Sequence, residues 1–333
     1  MLKSSKNIFF YWDKGESSMP VIHKVNIENI RNRLKNSEWN IVVTSLDKTS
    51  KYYIGNLIDL PSYFFDIQNK ITNLHSMGGN LSDIIRLRLL GKYGGIYFDT
   101  STIFLKNKIE DIKLYNKLIN SSVFKLAGYT NFTFTRKSLN GNNYFENAKD
   151  GIELGVLFAK KHSKIIKIFN QEIDKFWEWK TTDKSYLEYP LFKKYKLKKV
   201  SFLNEYHIHY TIFHMIITRD TSLLKELITQ SIHMKNKENS LNHGAYTLTD
   251  MFCRGKTNYD KADPKILLEV FLDKDLEFKD KFITLKDRIK LIDKMELIVI
   301  PGYLRVELER YFRKKEDFQN LTSLYQYILK SKG

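Results

Sequence analysis

Apolar residues near the start of the chain form short dense runs, separated by a segment of helical spacing. Residues Ile8–Trp12 and Asn40–Ser45 are dense runs typical of buried strands, and Val21–Lys35 between them carries apolar side chains at helical intervals. A chain that opens strand, helix, strand favours a parallel sheet with helices on its faces. The pattern therefore predicts an α/β fold.

The most regular pattern of the first half lies between residues 80 and 105. Asn80–Leu90 has the apolar spacing of a helix, and Asn80 or Ser82 would cap its start. The glycine pair at 94 and 95 ends this helix. Ile96–Phe98 is then predicted to be a buried strand, and the chain stays extended at Thr102–Leu105.

The remaining sequence continues the alternation and ends in a Lys/Glu-rich region. Strands are predicted at 123–134 and 151–159, a polar loop at 136–150, and helices at 57–71, 162–177, 206–217, 223–232 and within 263–333. We divide the chain into three segments, 1–110, 111–260 and a helical extension at 261–333.

Charge and composition narrow the classes of partner. The 333 residues include 55 Lys and Arg against 38 Asp and Glu, a formal net charge of +17. Such a surface attracts phosphate-bearing partners, although lysines on solvated helix faces explain it equally well. The sequence has no zinc-ligand spacing, no aromatic RNA-binding motif and no basic helix, so nucleic acid is not expected as a partner. The single cysteine, Cys253, excludes an internal disulfide.

The sequence shows neither a signal peptide nor a membrane span, and both bear on where in the cell the protein is expected. The apolar stretch Ile8–Trp12 is shorter than the core of a signal peptide, and no run approaches the ~20 apolar residues of a membrane span. We therefore expect a soluble cytoplasmic protein, with peripheral attachment to the inner face of a membrane left open.

The candidate chemistry lies in NLSDIIRLRLLGKYGGIYFDTS, residues 80–101. Asp83 and Arg86 are three residues apart and share one face of the predicted helix, near the end where its dipole favours anions. Asp99 follows the strand at its carboxyl end, the edge at which α/β sheets bind ligands. An ordinary ion pair and a strand-end turn would account for the same residues one by one, but their ordered combination is uncommon.

This stretch resembles glycosyltransferases with a DXD-type sugar-binding region, and most closely the capsular polysaccharide synthesis group. The matching residues are Ser82, Asp83, Arg86, Leu90, Gly94, Gly95, Tyr97 and Asp99. Weaker similarity extends to Tyr11–Trp12, Gly155–Ile166 and Tyr206–Ile216. The resemblance implies a GT-A fold, in which a Rossmann-like mixed sheet is flanked by helices. It further implies a nucleotide-diphosphate sugar donor, UDP being the commonest carrier, and transfer with retention of configuration. Residues 1–110 would then be the nucleotide-sugar-binding half of the GT-A domain and residues 111–260 its acceptor-side half.

The resemblance also assigns residues. Its donor-binding set here is Trp12, stacked on the base, with Ser82, Asp83, Arg86, Gly95, Tyr97, Asp99 and Ser101. The catalytic candidates are Asp99, Arg86 and Glu153, and the last could equally be an exposed loop acid. In place of the second DXD carboxylate stands Ser101, a poor ligand for a hard cation. Mn²⁺ or Mg²⁺ would then be held by Asp99, Ser101 and a compensating residue such as His243.

Two aromatic clusters in the second half have structural and functional interpretations. His207, His209 and His214 lack the spacing of a zinc motif, so we expect core or acceptor-lining histidines. Trp177 and Trp179 could form a sugar-stacking surface, although packing at a helix end explains them more simply.

The sequence thus predicts a glycosyltransferase acting on a surface polysaccharide or another glycan, including a lipid-linked one. The competing hypothesis is a catalytically degenerate module that binds nucleotide sugar or glycan without turnover. Intact residues at every other position of the motif favour the enzyme.

Overall fold

The computed structural model of the protein describes residues 2, 6–71, 77–130, 152–194, 207–231, 285–293, 295–300 and 308–310. These residues belong to two compact units. The first comprises Met1–Gly15, Trp39–Phe98 and Lys113–Ser231, and the second comprises Glu16–Glu38, Asp99–Ile112 and Ile232–Gly333. The division predicted at residues 110 and 260 stays a prediction.

A six-stranded mixed sheet forms the centre of the first unit, in the order β2-β1-β3-β6-β5-β7. Its strands are β1 (Asn7–Tyr11), β2 (Asn40–Thr44), β3 (Gly95–Phe98), β5 (Leu126–Thr130), β6 (Ile152–Ala159) and β7 (Leu227–Ser231). β1 pairs in parallel with β2 and β3, whereas β6 runs antiparallel to both β3 and β5, and β7 runs parallel to β5. The α/β fold predicted from the sequence is confirmed.

Five α-helices in the described part of the first unit accompany this sheet. They are α2 (Met77–Tyr93), α3 (Lys113–Ile119), α4 (Lys164–Trp179), α5 (Pro190–Lys194) and α6 (Ile208–Arg219). Short 3-10 helices lie at Ile54–Asn56, Ser62–Asn69, Tyr186–Glu188 and Thr221–Glu226. α2 packs against β1, α4 and α6. Because α2 is covered on several sides, even its polar residues Asn80, Asp83 and Arg86 are buried.

The burial of the strands explains their dense apolar sequences. All five residues of β1 and all four of β3 are buried, as expected for strands covered on both faces. Phe10 on β1 contacts Phe98 on β3 edge to face, and Phe98 contacts Phe158 on β6 in the same way. Each large apolar side chain buried in this manner contributes about 1.5–3 kcal/mol to folding.

Two glycines connect α2 to β3. Gly94 and Gly95 have φ values of 68° and 96°, a region that side chains rarely adopt. A Cβ on Gly94 would lie 2.7 Å from the backbone nitrogen of Lys161. The amide of Gly94 donates to the carbonyl of Leu90 at 2.9 Å and closes the last turn of the helix.

Some predicted elements differ from those observed. The helix expected at 223–232 is instead a 3-10 helix, Thr221–Glu226, followed by strand β7. Pairing with β5 over five residues stabilises the extended backbone there. Helix α2 begins at Met77, so Asn80 and Ser82 lie inside it and the predicted cap is wrong. Residues 62–69 form a 3-10 helix rather than an α-helix.

The second unit is built around α1 (Val21–Arg33) and a two-stranded antiparallel ladder of β4 (Thr102–Phe104) and β8 (Leu297–Val299). α1 packs on β4. The Asn26 side chain donates to the carbonyl of Thr100 at 3.1 Å, and Arg33 donates to that of Leu105 at 3.1 Å. A 3-10 helix lies at Ile109–Asp111, and helix α7 covers Leu285–Asp293.

No helix in the described part of the chain has both the length and the apolar character needed to cross a membrane.

Candidate functional site

Four of the motif residues meet in one cluster on α2 and β3. An Arg86 guanidinium nitrogen, Nη1, lies 3.2 Å from Asp83 Oδ1, as the helical spacing predicts. Nη2 donates to Ser82 Oγ at 2.7 Å, and that hydroxyl lies 2.9 Å from the hydroxyl of Tyr97. The guanidinium carbon stands 4.5 Å from the centre of the Tyr97 ring. Arg86 is therefore fixed by an ion pair, a hydrogen bond and a cation–π contact at once.

Asp83 has a second partner from α6. Its Oδ2 lies 3.0 Å from His209 Nδ1, and the indole of Trp177 on α4 donates to His209 Nε2 at 2.8 Å. His209 is fully buried, and Asp83 is 4% exposed. The His209 imidazole thus links its own helix, α6, to Asp83 on α2 and to Trp177 on α4.

The tautomer of His209 follows from this geometry. An indole N–H can only donate, so Nε2 of His209 must accept and carries no proton. The remaining ring proton of a neutral imidazole is then on Nδ1, which donates it to Asp83. His209 is a neutral histidine that fixes the orientation of the Asp83 carboxylate.

The carboxyl ends of the parallel strands carry further polar groups. Trp12 follows β1, is half-buried, and its amide donates to the carbonyl of Thr44 at 3.0 Å. At the same edge the hydroxyls of Tyr11 and Ser45 are buried and have no hydrogen-bond partner among the described residues. Burial, with the nearby Asp13 carboxylate, raises the pKa of Tyr11, which stays protonated as a donor.

Glu153 lies near this edge as well. β6 runs antiparallel to β3 and Val156 pairs with Phe98, so Glu153 extends past the carboxyl end of β3. Its Oε1 accepts a hydrogen bond from the hydroxyl of Tyr210 at 2.9 Å. Glu153 is half-buried, not an exposed loop acid. The neighbours His209 and Tyr210 thus hold Asp83 and Glu153, respectively.

Asp99 and Ser101 belong to the second unit. The carbonyl of Asp99 accepts from the amide of Thr102 at 2.9 Å, which closes a turn after β3. Asp99 is half-buried, whereas Ser101 is 4% exposed. Of these two predicted metal ligands only Asp99 has appreciable accessible surface. His243, the third, lies outside the described residues.

The described residues contain no group of three or more His, Cys, Asp or Glu side chains placed to hold a metal ion. Of the three residues predicted to hold a metal, Asp99 supplies the carboxylate. Mg²⁺ is commonly bound through one or two carboxylates together with substrate phosphates and water, so Asp99 fits such a partial donor set.

Sequence reasoning did not identify the bonds that His209, Tyr210 and Trp177 make. The burial of His209 and His214 confirms the expectation of core histidines, and Trp177 is buried at the end of α4. The missed partners are distant in the chain, since Asp83 and His209 are 126 positions apart. The hydroxyls of Tyr11 and Ser45, which have no hydrogen-bond partner in the described part of the chain, carried no sequence signal beyond their position at strand ends.

The chain is an α/β protein whose mixed sheet has polar clusters at the carboxyl edge of its parallel strands. Open α/β sheets bind ligands at that edge. The sequence model of the capsular polysaccharide synthesis protein family matches residues 1–240. The chain belongs to this family, as the motif predicted.

Individual relatives are more distant. The chain is 25% identical over 194 residues to the O-glycosyltransferase braB of Annulohypoxylon truncatum, a match covering 57% of this chain and 42% of that protein. It is 27% identical over 103 residues to the glycosyltransferase afumC of Aspergillus fumigatus, covering 31% of this chain and 26% of that protein. The chain thus spans less than half the length of these curated relatives.

Among solved structures, the chain is similar to the galactosyltransferase LgtC in complex with donor and acceptor sugar analogues. The sequence identity is 11% and the TM-score 0.43, with 92% of this chain and 95% of that chain covered. A glycosyltransferase involved in glycosylating the major capsid of PBCV-1 gives a TM-score of 0.42 at 11% identity, covering 93% and 98%.

Proposed function

We propose that the protein is a retaining glycosyltransferase of the GT-A type that transfers a sugar from a nucleotide-diphosphate donor to a glycan. Family membership and the glycosyltransferase relatives support the class of reaction. The observation that carries the proposal is the cluster of Ser82, Asp83, Arg86 and Tyr97, because it assembles the motif residues in one fixed arrangement.

Arg86 supplies the charge that this reaction needs. Cleavage of the sugar–phosphate bond leaves negative charge on the diphosphate, and a cation fixed beforehand stabilises it without reorganisation. Arg86 and Asp83 are both 4% exposed. Burial strengthens the interactions of the Arg86 guanidinium because the surrounding dielectric is low, while Asp83 offsets part of its positive charge. In this proposal Ser82, which is half-buried, reaches the donor directly, and Asp83 holds Arg86 and is oriented by His209.

The nucleoside part of the donor is assigned to the ends of β1 and β2. Trp12 is half-buried and offers a ring for stacking on the base. The buried hydroxyls of Tyr11 and Ser45 offer polar partners for its edge. UDP is the carrier proposed, on the resemblance of the motif.

Asp99 is assigned to the donor on sequence grounds. When bound, Mn²⁺ or Mg²⁺ would be held by Asp99 with diphosphate oxygens and would neutralise part of the diphosphate charge. Glu153, held by Tyr210, is assigned to the reacting sugar, where a carboxylate stabilises developing positive charge. No protein nucleophile is assigned. The acceptor proposed is a surface polysaccharide or a lipid-linked glycan, reached from the cytoplasm with peripheral contact to the membrane.

The proposal is tested by thermal unfolding of the protein with a panel of nucleotide sugars, with and without Mn²⁺. A ligand that binds only the folded state raises the unfolding temperature by mass action. We expect one donor to raise it, and Asp99→Asn to abolish both the shift and transfer without altering the fold. Asp111→Asn, at an exposed residue of the same unit, is the matched control and should behave as wild type.

Each alternative outcome has a distinct meaning. Donor binding without turnover, on any acceptor tried, would indicate the degenerate module. A full donor shift and full turnover in Asp99→Asn would refute the assignment of Asp99. No shift with any nucleotide sugar would contradict the proposed donor class itself.

A further inference from the structure

A cavity of about 570 Å³ lies in the first unit between α2 and the start of α4. It is lined by side chains that include Arg88 and Lys92 of α2 and His162, Ser163 and Lys167 before and within α4. β6 leads into this region from Ala159, which pairs with Gly95 at the amino end of β3. The cavity therefore lies at the sheet edge opposite the ends of β1 and β3 that carry the proposed donor site.

Ser163 is the first unusual feature of the cavity. It occupies the N-cap position of the 16-residue helix α4 but makes no side-chain capping hydrogen bond. Its residue is 1% exposed, and its hydroxyl has no partner among the described residues. A buried hydroxyl left without a partner is costly, so a hydrogen-bond acceptor bound at this position would be stabilised.

The helix start adds a second source of attraction. The first amide groups of an α-helix have no partner within the helix, and its dipole places partial positive charge there. In α4 this end opens beside Ser163 and Lys167, both of which line the cavity. An anion with several acceptor oxygens matches these donors.

The charged side chains that line the cavity favour an anion, even though Asp59 and Asp174 are among them. Asp174 Oδ1 accepts from Arg88 Nη2 at 2.5 Å and from the hydroxyl of Tyr63 at 2.5 Å, so this carboxylate is already compensated. Arg88 Nε is buried and has no partner among the described residues. Lys92 and Lys167 add two cations against Asp59, the other acid of the lining.

We propose that this cavity binds a phosphate monoester group. A tetrahedral phosphate dianion can accept from the start of α4, Ser163, Lys167 and Arg88 together, whereas a planar carboxylate offers fewer oxygens and less charge. The described lining residues include no Phe, Tyr or Trp, and His162 supplies the one ring among them, so the lining offers no pair of rings to hold a nucleobase. The site takes a phosphate on a small polar body, carried by a soluble molecule or by a lipid headgroup. It does not depend on the proposed transferase activity.

The first experiment measures the affinity of the protein for inorganic phosphate by calorimetric titration, at fixed ionic strength and with no sugar donor present. Lys167→Gln should weaken binding about tenfold, the loss of one charge-assisted contact. Ser163→Ala should weaken binding about threefold and leave folding intact, because only an unpaired hydroxyl is removed. The matched control is Lys175→Gln on the same helix, an exposed lysine outside the lining, and it should bind as wild type.

Equal phosphate affinity in Lys167→Gln and Lys175→Gln would overturn the proposal, since the phosphate would then bind elsewhere, including at the donor site. No measurable binding in the wild type would overturn it as well. Co-sedimentation with phosphatidylcholine vesicles, with and without phosphatidic acid, then separates the two sources. Binding to phosphatidic acid that is lost in Lys167→Gln identifies a lipid headgroup, and phosphate binding without vesicle binding identifies a soluble ester.

Discussion

Replacing His209 with leucine tests the buried network that orients Asp83. Leucine fills part of the space of the imidazole but makes neither of its hydrogen bonds. The indole N–H of Trp177 and Oδ2 of Asp83 would both remain buried without that partner, although Arg86 still pairs with Oδ1. The variant therefore measures the loss of folding free energy caused by leaving two buried polar groups without this hydrogen-bond partner.

The magnitude follows from the two partners left behind. An unsatisfied buried neutral donor costs about 1–3 kcal/mol, and a carboxylate costs more. We expect His209→Leu to lower the free energy of unfolding by ~3–5 kcal/mol, a large part of the 5–15 kcal/mol of a typical domain. In a Trp177→Phe background the indole N–H is already gone, so the same substitution should cost about 1–2 kcal/mol less.

Urea denaturation of the four proteins of this double-mutant cycle, followed by circular dichroism, measures the coupling. Circular dichroism is preferred to fluorescence because two of the four proteins lack Trp177. Tyr210→Phe is the control, since its hydroxyl bonds Glu153, and it should combine additively with Trp177→Phe. Additivity within ~0.3–0.5 kcal/mol for His209→Leu and Trp177→Phe would refute the assigned hydrogen bond and the tautomer derived from it.

Two further predictions concern other parts of the first unit. Burial lowers the pKa of His214 from 6.5 to about 4. The unfolded chain therefore protonates this histidine at a higher pH than the folded chain does. About 3 kcal/mol of stability that is present above pH 6.5 is lost as the pH falls to about 4. Unfolding curves against pH should show this loss in the wild type, and an equal loss in His214→Leu would contradict it. Gly94→Ala should destabilise the fold by about 2–4 kcal/mol because of its φ of 68° and the 2.7 Å approach to Lys161, whereas Gly78→Ala in open space on α2 should not destabilise it. Similar melting temperatures for the two glycine variants would show that the turn tolerates a side chain.

The features that could be predicted from the sequence are those encoded by patterns of neighbouring residues. The strands β1, β2 and β3 are dense apolar runs, and the Asp83–Arg86 pair follows from helical spacing alone. The motif also led to the family, which the match over residues 1–240 confirms.

What could not be predicted depends on partners far apart in the chain. Residues Leu227–Ser231 form a strand because β5, about a hundred residues earlier, offers a free edge. The start of α2 was misplaced because glycines 78 and 79 are poor helix formers, yet packing of the helix overrides their propensity. The partnership of His209 with Asp83 spans 126 residues and has no local signature.

The order of the strands has a consequence for synthesis of the chain. The neighbours β2, β1 and β3 all come from the first 98 residues, so this parallel half and α2 can emerge from the ribosome early. Trp177 and His209 come much later, on α4 and α6. A nascent chain ending before residue 209 would carry the whole motif, yet Asp83 would lack the bond that orients it. Completion of the first unit is thus a maturation step for the site, and a shortened translation product is expected to be inert.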